Sequence, residues 1–133
     1  MCRNKRVLVI DDETDIQLGV SCWLRHAGYE TIIAKDGFEG LEIAGQTTPD
    51  LILLDMLMPK MDGLKTLGEL RAKTETGDIP VVMLSASLRD EQRALDAGAR
   101  YFVKKPYEGK RLVSTVNAVF DEAATEPPEV VQP

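Results

Sequence analysis

Three aspartates, a serine and two lysines stand at the ends of short apolar runs, and together they are suited to chemistry on a phosphoryl group. Val7 to Ile10 is followed by Asp11-Asp12-Glu13, Leu51 to Leu54 by Asp55, Val81 to Leu84 by Ser85, and Tyr101 to Val103 by Lys104-Lys105. If Asp11, Asp12 and Asp55 come together, their mutual repulsion is relieved either by protonation or by a hard cation that prefers oxygen ligands. Mg²⁺ answers that need, because it accepts one or two carboxylates plus waters and bridges readily to a phosphoryl oxygen. A carboxylate can also attack phosphorus and form an acyl phosphate. The transferring group spreads its charge over its equatorial oxygens, so the remaining task is to position it among positive charges and hydrogen-bond donors. Lys105 offers the charge, Ser85 a hydroxyl, and the backbone N–H groups behind Asp55 and Ser85 further donors.

Those residues can meet only if the runs that precede them lie side by side. Val7 to Ile10, Tyr29 to Ala34, Leu51 to Leu54, Val81 to Leu84 and Tyr101 to Val103 are rich in β-formers. Several are apolar at every position, as in parallel strands covered on both faces. Between them, Ile16, Val20, Trp23, Leu24 and Ala27 make one helical stripe, which places Trp23 in the expected core; Leu64, Leu67 and Leu70 make a second, and Leu112, Val113, Val116, Val119 and Phe120 a third. Gly28 and Gly98 follow the expected last turns of two helices, where a left-handed residue closes the carbonyl end. Pro49-Asp50 and Ile79-Pro80 precede strands, and Asp36-Gly37 opens a helix. The βα alternation repeats five times, and right-handed crossovers then require helices on both faces of the sheet. The expectation is a doubly wound α/β fold, a three-layer α/β/α sandwich. One domain is expected over residues 1–122, with a disordered tail or linker stub over 123–133, where the chain turns polar and proline-rich. In such sheets ligands bind beyond the carboxyl ends of the strands, which is where the chemistry-bearing residues fall.

Composition narrows the function classes. A chain of 133 residues, 44% of them hydrophobic, can bury one core. No apolar run reaches bilayer length, and the basic N-terminus leads to no small-residue cleavage pattern, so a cytoplasmic location without a membrane partner is expected. Cys2 and Cys22 make no disulfide framework and read as free thiols. A net charge of -6, with no block of Lys and Arg, argues against direct contact with nucleic acid. Plainer roles exist for single residues. Asp12, Glu13 or Asp15 could cap a helix, Ser85 could cap a strand end, and Lys104 is turned to the opposite side by strand alternation. His26, the one histidine, sits at a helix end and reads as structural. Met56, Met58 and Met61 are expected to pack against neighbouring loops.

Taken in order, Asp11-Asp12-Glu13, Asp55-Met56-Leu57-Met58-Pro59-Lys60-Met61-Asp62-Gly63, Ser85-Ala86 and Lys105-Pro106 resemble the motifs of bacterial two-component response-regulator receiver domains. The likeness spans roughly residues 5 to 122. The resemblance implies a flavodoxin-like (βα)5 fold with a five-stranded parallel sheet in the order 2-1-3-4-5. It implies that Asp55 is the phospho-acceptor, assisted by Lys105 and Ser85. Asp12, Asp55 and the backbone carbonyl of Leu57 would bind Mg²⁺, or Mn²⁺ in its place, with Asp11 acting through a water. Ser85 and Phe102 would be the switch residues, altering the face made by the fourth helix, fifth strand and fifth helix. The implied partners are a histidine kinase or phosphotransfer protein and a downstream effector protein, the domain itself being a monomer or a phosphorylation-dependent dimer. Self-catalysed phosphotransfer and dephosphorylation would be its only chemistry, so it is not expected to be an enzyme. A proline behind Lys105 could enforce a cis peptide that aims the lysine inward.

Some positions depart from the family pattern. Arg100 and Tyr101 stand where members often carry Asp-Asp, which bears on the output face. Leu57 and Ser87 flank the expected phosphoryl group, and neither can orient an attacking water through a carboxylate or amide, so a long-lived phosphorylated state is expected. Two competing functions are a metal-dependent phosphohydrolase working through an aspartyl phosphate and a pseudo-receiver that never takes phosphate. The first would need a general acid near Asp55, which is followed instead by Met56-Leu57-Met58; the second conflicts with the presence of acidic pair, acceptor, hydroxyl and lysine together.

Overall fold

The five β-rich runs pair as parallel strands, the central three of them buried on both faces and the two at the sheet edges only partly. In the computed structural model, β1 (Arg6–Ile10), β2 (Glu30–Ala34), β3 (Leu51–Asp55), β4 (Val81–Ser85) and β5 (Tyr101–Lys104) form one sheet in the order β2-β1-β3-β4-β5. The structure describes residues 4–58, 60–105 and 108–129, the last of these from 122 onward by backbone alone. The crossovers are α1 (Thr14–His26), α2 (Gly37–Thr47), α3 (Gly63–Ala72) and α4 (Asp90–Asp96), and α5 (Gly109–Glu129) follows β5. In register, Val9 lies beside Leu53, Leu54 beside Met83, and Leu84 beside Val103. Asp55 and Ser85 prove to be the last residues of their strands, so the sheet ladder itself fixes their backbones.

Alternate residues of the central strands feed two cores, one on each face. Leu8, Ile10, Ile52, Leu54 and Met83 pack with Leu67 and Leu70 of α3, while Val7, Val9, Leu51, Leu53 and Leu84 pack with Leu24 of α1 and Leu112 and Val116 of α5. This is the expected three-layer sandwich. Each fully buried leucine contributes roughly 2 kcal/mol of transfer free energy to one core or the other.

Local chemistry sets the ends of the elements. Gly28 (φ 100°) and Gly98 (φ 110°) adopt the left-handed conformation expected of them. Behind α1 the Tyr29 N–H donates to the Leu24 carbonyl at 3.0 Å, which satisfies an otherwise unpaired helix-end oxygen. Asp36 caps α2 by accepting the Glu39 N–H at 2.8 Å, and the Glu39 carboxylate accepts the Lys35 N–H at 2.7 Å.

Trp23 corrects the sequence expectation. It is 43% exposed, because the buried face of α1 is centred on Val20, Ser21 and Leu24. A step of about 100° per residue then leaves Trp23 and Ala27 at the edge of that face. One side of the indole lies against Gly109 at the start of α5. The backbone of α5 continues past residue 122, where the tail expectation begins, and residues 130–133 of that tail lie outside the described residues. So do Cys2 and Pro106, and with the latter the isomer of the Lys105-Pro106 peptide. Among the described residues no helix is long and apolar enough to cross a membrane.

Candidate functional site

Strands β1, β3 and β5 deliver their terminal charges to one place. Asp11 follows β1, its N–H donating to the Ala34 carbonyl at 3.1 Å, and its own carbonyl accepts the Gln17 side-chain amide at 2.6 Å. The Asp11 side chain is fully buried; Oδ1 accepts the Glu13 N–H at 2.9 Å, and Oδ2 has no hydrogen-bond partner. Asp55, at the end of β3, is buried and accepts a hydrogen bond from Lys105 Nζ at 3.0 Å. The same ammonium lies 3.7 Å from Asp11 Oδ2. Lys105 is aimed by its backbone, whose N–H donates to the Ser85 carbonyl at 2.7 Å. Exposed Asp12 completes the group, with one carboxylate oxygen each from Asp11, Asp12 and Asp55 lying within 4.8 Å of one another.

The electrostatics of the cluster are unfavourable as it stands. Burial raises the Asp55 pKa from 3.8 to about 6; the Lys105 hydrogen bond and charge offset part of this, and the charges of Asp11 and Asp12 add to it. Asp11 is also pushed upward by burial, against the pull of the Glu13 N–H and of Lys105. An orphaned, buried carboxylate oxygen beside two further carboxylates is a set of hard oxygen donors with too little positive charge. That set fits a small divalent cation such as Mg²⁺.

The remaining predicted residues surround this cluster. Leu57 follows in the loop after β3 with its side chain 70% exposed. Ser85 is buried, and its hydroxyl donates to Asp90 Oδ2 at 2.7 Å while accepting the Ser87 N–H at 3.1 Å. Phe102 pairs in register with Met83 and packs partly on the core, while its outer side lines a cavity of about 300 Å³ with Tyr101, Arg111, Ser114, Thr115 and Ala118. Lys104 is exposed on the opposite side, its Nζ donating to the Lys105 carbonyl at 3.2 Å. Glu13 holds the N-cap position of α1 without a side-chain cap bond. Met56 is buried, and Met58 packs against the core.

Two residues gain roles that the sequence reading did not give them. A Cβ on Gly63 would fall 2.5 Å from the Asp55 carbonyl oxygen and 2.8 Å from Met56 Cα, so the first turn of α3 can touch the Asp55 backbone only as glycine. The Gly63 N–H donates to the Met56 carbonyl at 2.8 Å, which closes the loop after β3. Asp90 is the second, through its bond to Ser85. Asp62-Gly63 carried a turn signal in the sequence; nothing in the sequence marks the Asp90 contact.

A family model for the response regulator receiver domain matches residues 7–117. The chain belongs to that family. This receiver domain is 40% identical over 116 residues to the DNA-binding dual master transcriptional regulator RpaA of Synechocystis sp., covering 86% of the chain and 48% of that protein. It spans about half the length of the curated relatives it matches. Among solved structures it is similar to the chemotaxis response regulator CheY4 of Vibrio cholerae, with a TM-score of 0.83 and 31% identity, covering 87% of this chain and 98% of that one. The receiver domain of sensor histidine kinase PA1611 from Pseudomonas aeruginosa PAO1, solved with a magnesium ion coordinated in its active-site cleft, matches with a TM-score of 0.80 and 26% identity over 86% of this chain and 96% of that one. Receiver domains are signalling modules of two-component systems that interact with histidine kinases and effectors.

Proposed function

We propose that Asp55 of this receiver domain accepts a phosphoryl group, in the cytoplasm, from a histidine kinase or phosphotransfer protein, and that the modified domain then controls an effector protein. The observation that carries this reading is the buried Asp55 carboxylate, held 3.0 Å from Lys105 Nζ and grouped with Asp11 and Asp12. Asp12, Asp55 and the Leu57 carbonyl would hold Mg²⁺, with Asp11 Oδ2 reaching it through a water. Such an ion supplies neutralising charge between the nucleophile and the phosphoryl oxygens.

The chain's own residues perform the rest. An Asp55 carboxylate oxygen attacks phosphorus, forming a P–O bond as the P–N bond of a phosphohistidine, or the P–O bond of an acyl phosphate donor, breaks with its electron pair going to the leaving group. With a pKa of about 6 the acceptor is mostly ionised at neutral pH. Lys105 already sits on Asp55 and follows the charge onto a phosphoryl oxygen. Ser85 then donates its hydroxyl to a second oxygen, and Phe102 moves inward behind it, shifting the population of states on the α4, β5 and α5 face. With a net charge of -6 over the chain, the domain is suited to a protein partner in preference to nucleic acid. The only turnover is transfer to and loss from the domain's own aspartate.

Intact mass after incubation with acetyl phosphate and Mg²⁺ tests the reading. One phosphoryl group should appear on the native chain, be absent from Asp55→Asn, and be abolished by a chelator. No gain on the native chain would refute the assignment.

A further inference from the structure

The hydroxyl assigned to the phosphoryl group is already engaged elsewhere. A serine hydroxyl carries one proton, and that of Ser85 is donated to Asp90 Oδ2 at 2.7 Å, while one of its lone pairs receives the Ser87 N–H at 3.1 Å. Both partners belong to the segment that leads from β4 into α4, and neither is part of the Asp11, Asp12, Asp55 and Lys105 cluster. The local backbone explains how Asp90 gets there. The Asp90 N–H donates to the Ser87 carbonyl at 3.1 Å and the Glu91 N–H to the Leu88 carbonyl at 3.2 Å, two tight turns that fold the start of α4 back over the end of β4. The Asp90 side chain is thereby only 13% exposed, and its other oxygen lies 3.3 Å from the largely exposed Arg93 guanidinium.

From this we infer that Asp90 is a positioning residue, a latch that holds the Ser85 hydroxyl in the unphosphorylated orientation and sets the threshold of the switch. The inference rests on the reading of Ser85 as the hydroxyl that meets the phosphoryl group. For Ser85 to donate there it must give up Asp90, and a bond to a charged acceptor is about twice as strong as one between neutral groups. The phosphorylated state lacks that bond, so the bond stabilises only the resting state. Removing it raises the ratio of phosphorylated to unphosphorylated protein at any fixed donor concentration, by about tenfold for one charge-assisted bond.

The test measures that ratio by intact mass at a sub-saturating concentration of acetyl phosphate with Mg²⁺, in the native chain, Asp90→Asn, Asp90→Ala, Ser85→Ala and the Ser85→Ala/Asp90→Ala double variant. Asp90→Ala should give the full gain and Asp90→Asn, which keeps a neutral acceptor, a smaller one; the gain should vanish in the Ser85→Ala background. Amide exchange at Ser87 supplies a readout that needs no phosphate: it should quicken in Asp90→Ala as the Ser85 hydroxyl is released, with the thermal melt still cooperative. An unchanged ratio and unchanged Ser87 exchange in both Asp90 variants would overturn the latch. A gain that persists without Ser85 would also overturn it, by showing that Asp90 acts through its charge alone. If Ser85→Ala by itself matches the native chain in both ratio and phosphorylated lifetime, the assignment of Ser85 fails first and the latch falls with it.

Discussion

Replacing Asp55 by asparagine should make the metal-free domain more stable at neutral pH. Asp55 is 4% exposed, and its pKa rises from 3.8 to about 6, chiefly through burial. The folded state therefore binds this proton more tightly than the unfolded chain does. The stabilisation that comes with the proton is complete below about pH 4 and is lost as the pH rises through about 6. At about 1.4 kcal/mol per pH unit, the ionised acceptor costs the metal-free native state about 3 kcal/mol at pH 7.5. An asparagine side chain at this position mimics the shape of the neutral acid and escapes that cost, so the melting temperature of the variant should exceed that of the native chain by about 10 °C. The assay is thermal unfolding of both proteins from pH 4 to 8 in chelator. The difference should be largest above pH 7 and close to zero near pH 4. Adding Mg²⁺ should raise the native curve and narrow the gap, since a ligand that binds only the folded state stabilises it by mass action. A difference that does not change with pH, or an asparagine variant that melts lower throughout, would show that the acidic cluster is not strained in the way its burial implies.

Other perturbations probe other parts of the site. Gly63→Ala places a methyl group against the Asp55 carbonyl oxygen, 2.5 Å away, and should cost about 1–3 kcal/mol while slowing phosphorylation of Asp55; a variant with native melting and native rate would refute the close-approach argument. Leu57→Asn puts an amide beside the acceptor that can orient a water, and should shorten the lifetime of the phosphorylated chain as followed by loss of mass; an unchanged lifetime would remove the apolar residue as the cause of persistence. Gly109→Ala should push the indole of Trp23 off α5 and shift its emission to the red, a clean signal because the chain has a single tryptophan. Unaltered emission would mean that the packing across α1 and α5 is looser than the structure has it.

The sheet was legible because parallel strands bury both faces and so write themselves as unbroken apolar runs. The five runs gave five strands whose ends shifted by one residue: Asp55, Ser85 and Lys104 belong to the strands they were expected to follow, β1 begins at Arg6 and β2 at Glu30. Helix faces were read less well. The spacing of Ile16, Val20, Trp23, Leu24 and Ala27 fits a stripe, but spacing alone does not fix how a helix is rotated about its axis. Rotation was settled by Leu24 and Ser21, which enter the interior and carry Trp23 to the rim. A small buried serine is a weak sequence signal, whereas a large indole is a strong one that here points to the rim.

The candidate site divides along the same line. Asp11, Asp12, Asp55 and Lys105 could be listed from sequence, since each lies at or directly after a strand end and the sheet order brings three of those ends together. Backbone hydrogen bonds or strand pairing hold Asp11, Asp55 and Lys105, and chemistry that depends on fixed charge needs them held. Ser85 differs. Its strand position was just as legible, yet where its proton points depends on a helix that begins five residues later and folds back over it. A side chain whose backbone is fixed and whose hydroxyl has two competing acceptors is the simplest two-state element a sheet edge can carry. On the proposed reading, phosphorylation at Asp55 would supply the second acceptor beside Asp90, the first, so a difference between their hydrogen bonds of about one or two kcal/mol would be enough to change which state is populated. On the latch proposal that balance is set by the turn from Ser87 to Glu91, and it is there, more than among the carboxylates, that a substitution should alter how readily this domain switches.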